Sequence, residues 1–333
     1  MTITQPHGMG AVSRRLLLGG AAGLATLPAL AQQAAYPNRP VTVIVPFAPG
    51  GSTDFVARLM AQQLSIVLNG NFVADNRAGA SGTVGHGTLA RAKPDGYTLG
   101  IAPTGTFALA PSFFDKLPYD NDTAFAPISL LAGNAMFVCV NPRSNVDSLA
   151  GLIDAARRAP SKLSYGSAGA GTVSQLAPEL MLDMTGTDML HVSYRSGGFQ
   201  VQALLAREID MGFVDTVTAI PYLQSGELRA LAVTSVERSR SAPQVPTMAE
   251  AGVAGYRATN DFGFFAPAGT PTAIVERLYT ASRDILATPE IKAKLDAAAI
   301  DIYATGPDNF RPYQMAEAKR WGELIRKRGI KME

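Results

Sequence analysis

A single cysteine, Cys139, stands in the 333 residues. It excludes an internal disulfide and any zinc site built on cysteine pairs. Histidine is almost as scarce: His7, His86 and His191 show no H-x-x-x-H spacing, and no metal is expected. Charged residues make up only 17%, with 29 basic against 27 acidic. There is no basic excess to neutralise a nucleic-acid backbone, so no nucleic-acid partner is expected. Long apolar runs are missing too, since nothing after residue 31 holds the 18 uninterrupted apolar residues of a membrane span. With 47% hydrophobic residues the chain is nonetheless too apolar for disorder. Its length suits one large domain or two medium ones.

What is present begins with an address. Ser13-Arg14-Arg15, an apolar stretch over 16–27 and the small-x-small run Ala29-Leu30-Ala31 read as an export signal cleaved near Ala31. The apolar part is too short to span a bilayer. The arginine pair suits twin-arginine export, although Sec signals also carry adjacent arginines. Removing Arg14 and Arg15, the basic residues of the first 31, leaves 27 basic against 27 acidic residues. The mature chain is expected in the periplasm. Cys139, inside the apolar run 136–140, reads as a buried strand residue rather than a reactive thiol.

Past residue 40, short β-branched runs alternate with helical stretches, which predicts α/β architecture with mainly parallel strands. Strands are expected at 41–45, 72–74 and 97–101, with helices at 53–68 and 83–92. In the first helix Val56, Leu59, Met60 and Leu64 share an apolar face. A second strand-helix series runs from 148 to 233, and the chain beyond Pro271 is mostly helical. Apolar runs at 135–140 and 263–266 could be crossing strands between two lobes. The pattern alone leaves one continuous sheet open.

Two turns carry the chemistry. In Pro46-Phe47-Ala48-Pro49-Gly50-Gly51-Ser52-Thr53-Asp54 and in Tyr165-Gly166-Ser167-Ala168-Gly169-Ala170-Gly171-Thr172-Val173-Ser174, glycines turn the chain sharply from strand into helix. The free amides of a helix N-terminus attract anions, at about 0.3–1 kcal/mol each. Two such ends facing each other would hold a small anion without an arginine. Glycine-rich turns also serve as plain connectors, and Asp54 suits helix capping as well as ligand contact. Neither loop is a nucleotide fingerprint. Thr104-Gly105-Thr106 offers hydroxyls and amides, Arg195 a carboxylate partner, and Asp215 a cleft-lining or capping acid. Ser167 lies outside any G-x-S-x-G elbow, and only His86 and His191 remain as bases, so an enzyme is not expected.

The segments resemble, in order, the substrate-binding receptors of the tripartite tricarboxylate transporters, known as Bug-type proteins. The matching text includes Val45-Pro46-Phe47-Ala48-Pro49-Gly50-Gly51-Ser52-Thr53-Asp54, Lys93-Pro94-Asp95-Gly96-Tyr97-Thr98-Leu99, Leu163-Ser164-Tyr165-Gly166-Ser167 and Leu228-Arg229-Ala230-Leu231-Ala232-Val233-Thr234. Val245-Pro246-Thr247-Met248-Ala249-Glu250-Ala251-Gly252 and Phe265-Ala266-Pro267-Ala268-Gly269-Thr270-Pro271 complete it. The resemblance implies a two-lobed periplasmic binding fold, with 32–138 and 263–333 in one lobe and 139–262 in the other. It implies a monomeric receptor that closes on a small carboxylate and hands it to membrane transporter subunits, with no cofactor. The carboxylate could be a di- or tricarboxylate, an acidic amino acid or an aromatic acid. The resemblance also carries ligand contacts onto Phe47, Gly51, Ser52, Thr53, Asp54, Gly169, Gly171 and Thr172. Ala78, Gln175, Pro178 and Asp261 depart from the family pattern, and Gln175 and Phe199 are positions that could reshape the pocket. A sensor for a signalling partner, or a hydrolase on the same scaffold, are the alternatives.

Overall fold

The computed structural model describes residues 1–4, 36–114 and 116–331. Beyond its first four residues the expected export signal, with His7, lies outside the described residues. The first strands form as the β-branched runs dictate: β1 (Val41–Val45) pairs in parallel with β2 (Phe72–Asn76) and β3 (Thr98–Pro103). Between β1 and β2, α1 (Ser52–Val67) buries Val56, Leu59, Met60 and Leu64, the face predicted from spacing. α2 (Thr83–Ala90) precedes β3. A π-helical turn over Gly105–Leu109 then runs into α3 (Ala110–Phe113).

β4 (Phe125–Asn134) ends in the first sheet, and after Ala135 alone the chain enters the second as β5 (Met136–Val140). The second sheet continues through α4 (Leu149–Arg158), β6 (Ser164–Ser167), α5 (Val173–Thr185), β7 (Leu190–Ser193), α6 (Gly197–Ala206), β8 (Met211–Asp215), α7 (Thr216–Gln224) and β9 (Arg229–Val233). The chain returns as β10 (Asn260–Pro267), followed by α8 (Thr272–Ala287), α9 (Pro289–Ala297), β11 (Ile300–Thr305) and α10 (Pro307–Arg328). The first sheet is ordered β11-β4-β10-β3-β1-β2 and the second β7-β6-β8-β5-β9. This is the two-lobed periplasmic binding fold.

Both sheets are mixed rather than mainly parallel. β10 runs antiparallel to β3 and β4, and β5 antiparallel to β8 and β9. The strands that cross between sheets enter against the direction of the strand-helix series, which reverses their pairing. The crossing strands also begin earlier than the expected boundaries at 138/139 and 262/263. Phe137 and Val138 pair with Val214 and Phe213 in the second sheet, and Asn260 pairs with Asn134 in the first. Gly133-Asn134 stand directly before the switch at Ala135, yet both lie inside β4, so the expected boundary fell too late.

β5 shows why the run is apolar throughout. Met136, Val138 and Val140 face one core, while Phe137 and Cys139 face another, the period-two alternation of a strand buried on both sides. The first of these cores joins the two halves, with Phe107, Phe265, Phe310 and Trp321 packing into the same cluster as Tyr165, Leu176 and Phe213. α10 also ties both halves by charge. Arg328 donates to Glu179 (2.9 Å) and Asp188 (3.2 Å), and Lys327 to Asp183 (2.7 Å). Among the described residues no helix is long and apolar enough to cross a membrane.

Candidate functional site

The first loop is held by one carboxylate. Asp54 Oδ2 accepts the Gly50 amide (3.1 Å), Asn76 Nδ2 donates to Oδ1 (2.9 Å), and Arg58 Nε reaches both oxygens (2.9 and 3.0 Å). Burial works to raise the Asp54 pKa, but these hydrogen bonds outweigh it and hold the group below its ordinary value. Gly50 takes φ +96°, a conformation that costs other residues. The chain then starts α1 with Gly51 as N-cap and no side chain capping the end.

The glycine-rich loop of the second half is tied from behind. Gly171, at φ +72°, donates its amide to Gln175 Oε1 (2.7 Å), and Gly169 donates to Ser167 Oγ (3.3 Å). Thr172 Oγ1 donates to the Gly169 carbonyl (2.6 Å), and Ser174 Oγ accepts the Ala168 amide (2.8 Å). The loop rests on the first half at two points. Ser81 Oγ donates to the Ala170 carbonyl, and a Cβ built on Gly105 would lie 3.1 Å from the Gly171 oxygen. Only glycine allows that approach without displacement.

Between these loops lies a cavity of about 330 Å³. It is lined at α1 by Gly51, Ser52, Thr53 and Asp54, at α5 by Thr172, Val173 and Ser174, and at α6 by Ser196, Gly197 and Gly198. Asp215, the N-cap of α7, completes a fourth helix start on the same wall. No side chain caps α1, α5 or α6. Each such end carries roughly half a positive charge, so three converge on one space, while the Asp215 carboxylate offsets the fourth. Arg195 is the one Lys or Arg lining it among the described residues, and its guanidinium sits 4.1 Å over the Phe199 ring.

Of the residues singled out from sequence, Phe47, Gly51, Ser52, Thr53, Asp54, Gly105, Thr172, Arg195 and Asp215 line this cavity. Thr104, Thr106, Gly169, Gly171 and Gln175 do not. The Thr104 hydroxyl accepts the Asp261 amide (2.9 Å), and the Thr106 hydroxyl donates to the Ser81 carbonyl (3.1 Å). The two glycines spend their amides inside the loop, on Ser167 and Gln175. Sequence reasoning did not single out Met136, Gln200 or Asn260, which also line it. Met136 and Asn260 open the two crossing strands, and their place follows only once the crossing points are known. The run Tyr194-Arg195-Ser196-Gly197-Gly198 stood out in the sequence for Arg195 alone, yet its Ser196-Gly197-Gly198 is the same small-residue helix start as at Gly50-Gly51-Ser52.

A larger recess, about 650 Å³, opens elsewhere at the crossing and is lined in part by Arg238, Arg240 and Arg257. Each is already matched, to Glu250 (2.8 Å), Asp296 (3.1 Å) and Glu317 (3.7 Å) respectively. Of the helix starts only α7 touches it, through Thr216, and Asp215 already caps that end, so the smaller cavity is the better anion site. Among the described residues no group of three His, Cys, Asp or Glu side chains could hold a metal.

A family model described as tripartite tricarboxylate transporter family receptor matches residues 56–330. The chain belongs to that family. Like other receptors of this family, it is a periplasmic solute-binding protein. It is 36% identical over 315 residues to a protein of the tcbD-tcbE intergenic region of Pseudomonas sp. strain P51, covering 94% of this chain and 93% of that one. It is 33% identical to BugT of Bordetella pertussis over 90% and 92% of the two chains. Among solved receptors, an R. palustris protein with adipate superposes with a TM-score of 0.86 at 34% identity, covering 90% of this chain and all of that one. MatC of Rhodopseudomonas palustris with bound malate gives 0.81 at 31% identity, covering 87% of this chain and all of the neighbour.

Proposed function

We propose that this receptor captures a small organic carboxylate in the cavity between its two sheets and delivers it to a tripartite tricarboxylate-type membrane transporter. The observation that carries the reading is the convergence of three uncapped helix N-termini, with Arg195, on one cavity. Charge-assisted bonds from amides and a guanidinium are roughly twice as strong as neutral ones, and several together reach the roughly −8 kcal/mol of micromolar binding. Solved neighbours with adipate and malate support carboxylates of this size.

The two sheets with their helices act as lobes that meet at Ala135 and at the 234–259 connection. A ligand touching α1 on one side and α5 and α6 on the other favours the closed arrangement, and the transporter reads that closure. The receptor works in the periplasm as a monomer, after export directed by residues 1–31.

A melting-temperature screen against C4–C6 dicarboxylates, citrate, acidic amino acids and aromatic carboxylates tests this. A ligand at a hundredfold excess over Kd stabilises the folded state by about 2.7 kcal/mol. A clear shift for one chemical class is expected, and no shift with any carboxylate would overturn the reading.

A further inference from the structure

The two carboxylates in the cavity wall differ in how fully they are used. Asp54 is saturated by Arg58, Asn76 and the Gly50 amide. Asp215 has only its own helix: Oδ1 accepts the Thr218 amide (3.2 Å), Oδ2 accepts the Thr218 hydroxyl (2.8 Å), and the Val217 amide also bonds the carboxylate. Among the described residues no Lys or Arg forms an ion pair with it. A carboxylate offers about four acceptor positions, and among the described residues no side chain of another element takes one, so whatever capacity its own helix leaves faces the cavity.

The residue facing it keeps that capacity reachable. A Cβ built on Gly197 would lie 3.3 Å from Asp215 Oδ2, so any larger residue there would cover the oxygen. Gly197 and Asp215 both line the cavity. Burial pushes the Asp215 pKa up, with the Thr218 bonds drawing it part-way back. A carboxylate held only by its own helix gains from a donor that a ligand brings, because hydrogen bonds to a charged group are the stronger kind.

We propose that the site selects a carboxylate that also bears an N–H or O–H donor, which Asp215 accepts while the ligand's carboxylate takes Arg195 and the helix N-termini. This rests on the carboxylate-receptor reading above and narrows it to amino, amido or hydroxy acids over plain diacids. A plain diacid would set its second carboxylate against Asp215, where like charges in a low-dielectric space repel.

Calorimetric titration at neutral pH tests it with matched sets at each chain length from C3 to C6. Each set holds the plain diacid, its hydroxy and amino derivatives, and its monoamide. In the unaltered receptor at least one donor-bearing acid should bind about tenfold or more tighter than its plain diacid. Which derivative wins separates an ammonium from a hydroxyl or amide donor. Asp215→Asn should erase that preference and improve the plain diacid. Asparagine caps a helix about as well as aspartate, so the unliganded melting temperature should barely move. Gly197→Ala, which covers the oxygen, should erase the preference in the same way.

Equal affinity for the plain diacid and all its derivatives, or an unchanged ranking in both variants, would overturn the proposal while leaving the receptor reading standing. Absence of binding by any acid at any length would overturn both.

Discussion

Gly171 donates its amide to Gln175 Oε1 at 2.7 Å, and Gln175 Nε2 faces His191 Nδ1 at 3.2 Å. The amide fixes the orientation of the glutamine, because only its oxygen can accept that N–H. Nε2 therefore donates to His191 Nδ1, which leaves the histidine proton on Nε2, 2.8 Å from Ser167 Oγ. Ser167 in turn accepts the Gly169 amide. The glycine-rich loop is thus shaped from behind by a Gln175–His191–Ser167 chain rather than by the ligand. Gln175→Ala should weaken carboxylate binding several-fold, with a drop of a few degrees in melting temperature. Unchanged affinity by calorimetry would show that the loop holds its shape without Gln175.

Asp54 does for the first loop what Gln175 does for the second. Asp54→Ala removes the acceptor of the Gly50 amide and the carboxylate that Arg58 and Asn76 share. Ligand affinity should fall about tenfold or more while the fold persists, as read by calorimetry and circular dichroism. Wild-type affinity in this variant would remove the first loop from the site.

The approach of the two halves depends on Gly105. With the Gly171 carbonyl only 3.1 Å from the position of a Cβ, Gly105→Val must push the glycine-rich loop away. The variant should bind ligand at least tenfold more weakly and scatter with a larger radius of gyration in saturating ligand than the unaltered receptor. Identical scattering profiles would contradict lobe approach at this point.

His86 gives the fold an acid sensitivity unrelated to the ligand. Its ring lies 3.8 Å from that of Phe125 and in edge contact with Tyr119 and Phe265, and burial depresses its pKa to about 3. The unfolded chain takes up a proton near pH 6.5 that the folded chain refuses. The stability is therefore complete above pH 6.5 and declines toward pH 3, by up to about 1.4 kcal/mol per unit. Urea midpoints between pH 4 and 8 should show this slope, and His86→Phe should flatten it. Equal slopes in both proteins would rule out His86 as the cause.

Much of this was legible in the residues. The α1 face, the two glycine turns and the alternation of strand and helix are local signals, and the structure places them where spacing put them. Other elements were not legible. β4 is interrupted by Pro127 and Gly133, and α7 starts on β-branched Thr216-Val217-Thr218 and contains Pro221, so neither carries a clean period. β11 is a short alternating run wedged between helices. The antiparallel entry of β5 and β10 depends on pairing across the molecule. In the site, residue type was visible but direction was not. Gly169, Gly171 and Thr104 have the right chemistry, yet their groups are spent on neighbours that only the fold brings close.

The central claim is that a carboxylate binds where the helix N-termini converge. Amide chemical-shift mapping of the 15N-labelled mature receptor, titrated with the acid that most raises its melting temperature, tests it most directly. The account predicts saturable shifts concentrated at Gly51, Ser52, Thr53, Thr172, Val173, Ser174, Ser196, Gly197 and Gly198, on both sides of the cavity. Shifts confined to the larger recess around Arg238, Arg240 and Arg257, with those helix starts unmoved, would contradict it.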